Sequence, residues 1–298
     1  MRPAICYAAL LAAVLASPAG AMDIKIENFV GNVTLVEGND GLDVVRRGEE
    51  GALEVSTDGD VIHIDGGLTS KERNEACNYG GVSWNLSWND RKSKGSTRLA
   101  DYPELRISVP EGSNLKIKKS SILLTSDVDL GNVSLNISGC FDVNLQNTGD
   151  LDLDKSGSGE FEAARVGALD IEKSGSGDLS FVSADSVKLD VSGSGEFEIG
   201  DVNGSVRIEK SGSGDVDIDY INGDLRVEKS GSGDVEVRGG TIANLTIDNS
   251  GSGDVDVNAP VGDAQVNASG SGDIYIESIE DLLYESVSGS AKLRRGDD

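Results

Sequence analysis

The sequence predicts an all-β chain wound into a parallel β-helix, a solenoid of about 18–20 residues per turn. Three observations carry that prediction. The phrase Ser-Gly-Ser-Gly-Asp/Glu recurs at Ser156–Glu160, Ser174–Asp178, Ser192–Glu196, Ser211–Asp215, Ser230–Asp234, Ser250–Asp254 and Ser269–Asp273. The first serines of successive copies stand 18, 18, 19, 19, 20 and 19 residues apart, and a near-constant period of this length marks stacked repeats. Apolar and polar residues alternate on either side of each phrase, as in Leu169-Asp170-Ile171-Glu172 and Val216-Asp217-Ile218, which is the period of a strand with one buried face. Finally, 298 residues with 37% hydrophobic but only 4% aromatic content, 39 glycines and 5 prolines suit a thin aliphatic core with many tight turns, and leave no room for helices beyond short pieces.

Residues 1–21 read as a secretory signal. Arg2 supplies the positive end, Ala8–Ala16 the apolar run, and Ala19-Gly20-Ala21 a small-x-small cleavage site with the cut after Ala21. That run is too short to cross a bilayer, so no transmembrane segment is expected in the mature chain. Residues 22–68 alternate in short runs such as Asp23-Ile24-Lys25-Ile26-Glu27 and Val61-Ile62-His63-Ile64, with turn residues between them. They are expected to begin or cap the solenoid, since an uncovered end exposes strand edges and core.

Residues 69–102 break the pattern. They hold Cys77, both tryptophans (Trp84 and Trp88) and the basic group Arg91, Lys92, Lys94 and Arg98. A long loop or irregular hairpin is expected here. Exposed tryptophans beside basic residues suit a glycan or a partner surface; the plainer expectation is a flap whose tryptophans pack on the solenoid. Cys77 and Cys140 remain once Cys6 leaves with the signal, and they form a candidate disulfide in an oxidising compartment.

Residues 103–298 form the repetitive β-helix, about ten turns. Ser120-Ser121 and Ser138-Gly139-Cys140 are worn early copies of the phrase, and Ser288-Gly289-Ser290 a worn final one. Within a turn, alternation places Leu169, Ile171, Leu179 and Phe181 inward. It turns Gly175 and Gly177 inward as well, where they are expected to let opposite walls approach. Two columns then face solvent: Ser158, Ser176, Ser194, Ser213, Ser232, Ser252 and Ser271, and beside them Glu160, Asp178, Glu196, Asp215, Asp234, Asp254 and Asp273. These are the candidate binding residues. Like charges about 4.8 Å apart repel by about 1 kcal/mol per neighbouring pair in water. Side chains splaying into solvent would relieve this; bound divalent cations would do so too, because carboxylates and hydroxyls are hard oxygen ligands that suit Ca²⁺. The residue before the phrase is Lys155, Lys173, Lys210 or Lys229, but Val191, Asn249 or Ala268 elsewhere. A lysine is expected to turn away from the core, so the alternation should break there at a corner.

The opening segment Phe29-Val30-Gly31-Asn32-Val33 with Leu42-Asp43-Val44, the strand Leu105-Arg106-Ile107-Ser108-Val109-Pro110 and the repeated Ser-Gly-Ser-Gly-Asp together resemble the head GIN domain family of auto-transporter adhesins, exported bacterial proteins. The resemblance implies a parallel, right-handed β-helix and a cell-envelope setting: periplasmic, attached to the outer surface, or secreted. It supplies no catalytic residue.

The expected function is non-enzymatic and adhesin-like, with an envelope or extracellular protein or glycan as partner, held through many weak contacts along a repetitive face. A net charge of −26 disfavours nucleic acid, whose phosphates need a basic footprint. A polysaccharide-active enzyme is the first alternative, but it needs a singular pair of carboxylates. His63, the one histidine, lies far in sequence from the repeats. A calcium-dependent solenoid is the second alternative. Its usual nine-residue repeat supplies two Asp loops per turn, whereas this chain has one. No cofactor is otherwise expected, and no metal ligand set is assigned.

Overall fold

The computed structural model describes residues 20–39, 41–46, 53–78 and 102–296. It is a β-solenoid of about ten coils in which parallel strands stack on their equivalents one coil away. Nearly all the buried apolar side chains, from Met22 to Ile276, form one continuous cluster along its length.

The chain opens with β1 (Asp23–Glu27) and β2 (Val30–Glu37). Next come β3 (Gly41–Arg46), β4 (Glu54–Asp58) and β5 (Val61–Asp65). The helix α1 (Ser70–Asn78) precedes β6 (Glu104–Val109) and β7 (Ser113–Ser126). Here β1 lies parallel to β5 and β7, and β2 parallel to β6 and β7, so the opening segment belongs to the solenoid wall. By contrast, β3 and β4 run antiparallel to β6 and β5 and lie over the edge of the first coil. The N-terminal segment therefore both begins the solenoid and caps it. In the first coil Ile24, Ile26, Ile62, Ile64, Leu105 and Ile107 are all 0–1% exposed.

Residues 69–102 were expected as loop or hairpin, yet they begin with α1. Thr69 and Glu72 form a capping box. The Thr69 amide and hydroxyl donate to Glu72 Oε2 at 2.8 and 2.7 Å, and the Glu72 amide returns a bond to Thr69 Oγ1 at 3.4 Å. The Thr-Ser-Lys-Glu spacing was a readable start signal. Tyr102 returns the chain to the body, buried with Val30 and Leu68. Trp84, Trp88 and the basic group lie outside the described residues, as does the signal with its cleavage residue Ala21's preceding run up to residue 19.

The regular coils run through β8 (Leu130–Leu145), β9 (Leu151–Lys155), β10 (Ser158–Lys173), β11 (Leu179–Val191), β12 (Phe197–Val202) and β13 (Val206–Lys210). They continue through β14 (Val216–Lys229), β15 (Val235–Val237), β16 (Gly240–Asn249), β17 (Val255–Ala268), β18 (Ile274–Val287) and β19 (Leu293–Arg295). Register aligns equivalent residues into columns. Phe161, Leu179, Phe197, Val216, Val235, Val255 and Ile274 form one inward column, each 0–1% exposed. Phe181 spans Phe161 and Phe197 with ring centroids 5.5 and 5.6 Å away.

The period grows without disturbing these columns. Ala184 pairs with Val202 and Val187 with Val206, so the nineteenth residue enters at the corner between them. The twentieth enters beside Gly223 and Leu225, where the register shifts.

Candidate functional site

The Ser-Gly-Ser-Gly-Asp segments stack into one face of the rod. Their serines and acids point outward, as parity required, and their glycines sit below them. A shallow open groove of about 720 Å³ runs along the face, and its walls from Ser174 to Ser252 consist entirely of serine and glycine. Ser158 and Ser176 bridge neighbouring coils, with hydroxyl oxygens 3.1 Å apart.

The glycines are needed for a different reason from the one expected. A Cβ on Gly175 would stand 1.9 Å from the Gly157 carbonyl oxygen, and one on Gly193 would stand 1.8 Å from the Gly175 oxygen. The close approach is therefore along the rod, between equivalent backbones of successive coils, and not between opposite walls.

The lysines overturn a second expectation. Lys155, Lys173, Lys210 and Lys229 do not turn away at a corner: they face the core and are 0–2% exposed. Each ammonium is satisfied by backbone carbonyls of the glycine-rich segments. Lys155 Nζ donates to Ser176 O at 2.8 Å and Gly177 O at 3.3 Å, and lies 4.9 Å from the Phe141 ring centroid. Lys173 Nζ reaches Ser194 O at 2.8 Å, and Lys210 Nζ reaches Gly212 O at 3.2 Å. Lys229 Nζ reaches both Gly231 O and Gly253 O. Asn249 continues the column: its Nδ2 donates to Gly253 O at 3.2 Å and its Oδ1 accepts the Gly251 amide at 2.9 Å. A lysine serves the segment of its own coil or of the next. That freedom explains how Val191 is accommodated, because Lys173 reaches forward to Ser192–Glu196, the segment that follows Val191, while Lys155 supplies the one before it and Lys210 serves its own. Without Cβ atoms, the glycine-rich backbone can turn carbonyls inward, and buried carbonyls need donors.

Burial disfavours the charged form of all four amines. It brings Lys155 down to about 8, helped by the Lys173 charge and opposed by Asp178. It brings Lys229 down to about 8 as well, helped by Lys210 and opposed by Asp234, Asp254 and Asp215.

The acid column does not splay into solvent. Asp178 Oδ1 accepts the Glu196 amide at 2.8 Å, Asp215 Oδ1 the Asp234 amide at 2.8 Å, Asp234 Oδ1 the Asp254 amide at 2.7 Å, and Asp254 Oδ1 the Asp273 amide at 2.7 Å. Asp273 closes the series on the Lys292 amide at 3.1 Å. The Gly253–Asp254 peptide shows how the two columns cooperate. Its carbonyl takes the Lys229 ammonium from inside, and its N–H donates to Asp234 from outside. Ammonium and carboxylate thus face each other across one peptide plane, which offsets the repulsion within each column. The same device recurs at another corner, where Asn114 Oδ1 accepts the Asn132 amide and Asp150 Oδ1 the Ala168 amide.

Glu196 departs from this pattern. One methylene longer than Asp, it turns sideways to Asp217. The hydrogen bond to Asp217, with the Glu198 charge beside it, raises its carboxyl above the ordinary range. Carboxylate oxygens of Glu196, Glu198 and Asp217 lie within 4.8 Å of one another. Sequence reasoning saw no singular acid cluster; the Glu-for-Asp exchange was the signal for this one. His63 stands beside Lys25 and Ser56, on strands away from the groove. Cys140 is buried and disulfide-bonded. Among the described residues, no helix is long and apolar enough to cross a membrane.

Comparison with curated proteins and with solved structures finds no match. A family model described as "Putative auto-transporter adhesin, head GIN domain" matches residues 85–220 and 202–295. The two matched spans overlap and together take in every copy of the Ser-Gly-Ser-Gly-Asp phrase, and the chain belongs to the head GIN domain family.

Proposed function

We propose that this is a non-enzymatic, exported bacterial envelope protein, adhesin-like, that holds an extracellular or envelope partner, protein or glycan, on its Ser-Gly-Ser-Gly-Asp face. The observation that carries the proposal is the face itself: a groove walled by serine and glycine coil after coil, with the exposed column of acids beside it. Such a lattice suits a long, repetitive partner, whose many weak contacts add through effective concentration. The carboxylates are already engaged by backbone amides, which favours a stabilising role with their free lone pairs turned to the partner, over a catalytic one. The family name, describing an adhesin, supports the same reading.

The test replaces the exposed Ser194, Ser213 and Ser232 together by arginine and measures capture of envelope extract and of a glycan panel against the unaltered chain. Loss of capture with an unchanged urea midpoint is expected. Undiminished capture would remove this face from the function. Export is tested by recovering the protein from the envelope with Met22 as its first residue. We assign Cys77 as the partner of Cys140, because α1, which carries Cys77, packs beside β8, which carries Cys140.

A further inference from the structure

Charge restricts what the Ser-Gly-Ser-Gly-Asp face can hold. Residues 174–254, the extent of the groove, carry 16 acids and 6 basic residues. Each of the six bases is already committed. Lys210 and Lys229 lie buried beneath the face, and Lys188, Arg207, Arg226 and Arg238 are held in ion pairs. In chain order the acids flank the serines on both sides. Asp178, Asp215, Asp234 and Asp254 follow them. Asp190, Glu209, Glu228 and Asp248 precede them and wall a second hollow of about 430 Å³, which shares Ser211 and Ser230 with the groove. Arg207 and Arg226 pair with three of these preceding acids and leave Asp190 without a base. A partner bearing carboxylates, sulfates or phosphates meets no uncommitted base here and is repelled, whereas one bearing ammonium groups is drawn in.

The open hydrogen-bonding groups recur once per coil. Ser174, Ser192 and Ser250 turn their hydroxyls back to lysine carbonyls of the preceding coil, at 3.5, 3.4 and 3.5 Å. Ser194, Ser213, Ser232 and Ser252 are exposed, and their hydroxyls have no partner among the described residues. Asp178, Asp215, Asp234 and Asp254 each spend Oδ1 on the amide of the next coil and keep Oδ2 open. A coil thus offers one hydroxyl and one carboxylate oxygen. That suits a single N–H of an ammonium group, while a calcium ion, which takes about six to eight oxygens, finds too few.

The backbone argues against an extended peptide. The amides of Ser194, Ser213 and Ser252 donate to Gly175, Gly193 and Gly231 of the preceding coil. Carbonyls of Ser176, Ser194 and Gly253 turn inward to the lysines. The face therefore presents no strand edge for a peptide to join. Its serine and glycine walls also hold no pocket for an apolar or aromatic side chain. A slim polyhydroxylated chain with an amine on each unit fits both restrictions. Its β-linked pyranose rings follow one another at about the 4.8 Å spacing of stacked strands, so successive rings meet successive coils.

Resting on the reading of this face as the binding face, we propose that it holds a linear amino-sugar polymer with free amines, the ammonium groups on the open aspartate oxygens and the sugar hydroxyls on the serines. Calorimetric titration of the full chain uses three probes: a β-linked glucosamine oligomer with its amines protonated, the same oligomer N-acetylated, and an oligolysine of similar length. The glucosamine oligomer is expected to bind at least about tenfold more tightly than either of the others, and less tightly as salt is raised. Asp234→Asn with Asp254→Asn keeps both Oδ1 acceptors and is expected to lower that affinity at least about tenfold. An unchanged urea midpoint shows that the coils of this variant stay folded. Equal binding of the acetylated oligomer, oligolysine binding as tightly, affinity indifferent to the two asparagines, or no binding of the glucosamine oligomer each overturns the proposal. In those cases the binding face itself still stands if arginine at Ser194, Ser213 and Ser232 abolishes envelope capture. Capture indifferent to those arginines removes the face and the amino-sugar with it.

Discussion

Replacing Lys229 by methionine isolates the energetic consequence of a buried ammonium. Burial, with the Lys210 charge, lowers the amine to about 8 in the folded chain. In the unfolded chain it titrates near the ordinary value of 10.5. Below pH 8 both states are protonated, and the folded state bears the whole penalty. Between about 8 and 10.5 the unfolded state binds more protons than the folded one, so stability rises with pH. Above 10.5 neither state is charged and the penalty is gone. A shift of this size corresponds to about 3 kcal/mol. Methionine has no such proton, so the rise of stability from pH 7 to 10.5 should be smaller in Lys229→Met than in the unaltered chain by about 3 kcal/mol. At pH 7 itself the two should differ less. Methionine avoids burying a charge but gives up the ammonium's hydrogen bonds to Gly231 O and Gly253 O, which keep the Ser252 amide and Asn249 Nδ2 as donors; a hydrogen bond from a charged group contributes about 1.5–3 kcal/mol. Urea unfolding of both proteins across this pH range provides the test, because other titrating groups cancel in the difference. Direct titration of the Lys229 side chain by NMR gives an independent check. Equal slopes, or a side chain titrating above 10, would refute the assignment of a desolvated ammonium.

Asp234→Ala should destabilise by about 1–3 kcal/mol through loss of the acceptor for the Asp254 amide, whereas Asp234→Asn keeps the Oδ1 acceptor, relieves like-charge repulsion and should stay within about 1 kcal/mol by urea midpoint. Gly193→Ala should cost about 3 kcal/mol, since its Cβ would meet the Gly175 carbonyl at 1.8 Å, while the neighbouring exposed Ser194→Ala should be nearly silent in the same assay. With Cys77 as the proposed partner of Cys140, the loop closed from residue 77 to 140 makes Cys140→Ser cost about 4 kcal/mol, and reductant should lower the unaltered protein to the level of the variant. Melting in calcium and in chelator should give equal midpoints, because the acid column already has backbone donors; a higher midpoint in calcium would restore the calcium-dependent reading.

Period and alternation make the coil legible in the sequence. Leu169, Ile171, Leu179 and Phe181 face inward as parity dictated, and Ser176 and Asp178 face outward. What parity could not convey was the direction of carbonyls. A segment free of Cβ atoms can turn its peptide oxygens into the core, and only then does a lysine belong inside. Had Lys155 and Lys173 been kept in strict alternation with Leu153 and Ile171, the pattern itself would have placed them correctly; the general cost of burying a charge overrode it. The role of the aspartates was hidden for the same reason, because an amide donor across a coil boundary leaves no mark in sequence. The choice of Asp over Glu was the one trace of it, and Glu196 shows the consequence of exchange. The end of the rod was partly legible: worn repeats pointed to terminal coils, but the register shift that seats Glu285 over an apolar column depends on a single unpaired residue, Leu283.

The lysine column has a further consequence for how such a chain can vary. Five successive segments, from Ser174 to Asp254, are supplied with amines by only four lysines, because each side chain can reach its own level or the next, and Asn249 adds an amide at the last of them. The arrangement is redundant in the way an overlapping code is. One position can drift to valine, as at Val191, without orphaning a carbonyl, provided its neighbours keep their amines. Two adjacent losses would leave a level unserved. Whole coils can therefore be gained or dropped in descent, and single positions eroded, under a rule of spacing between amines that is independent of what the outer face binds.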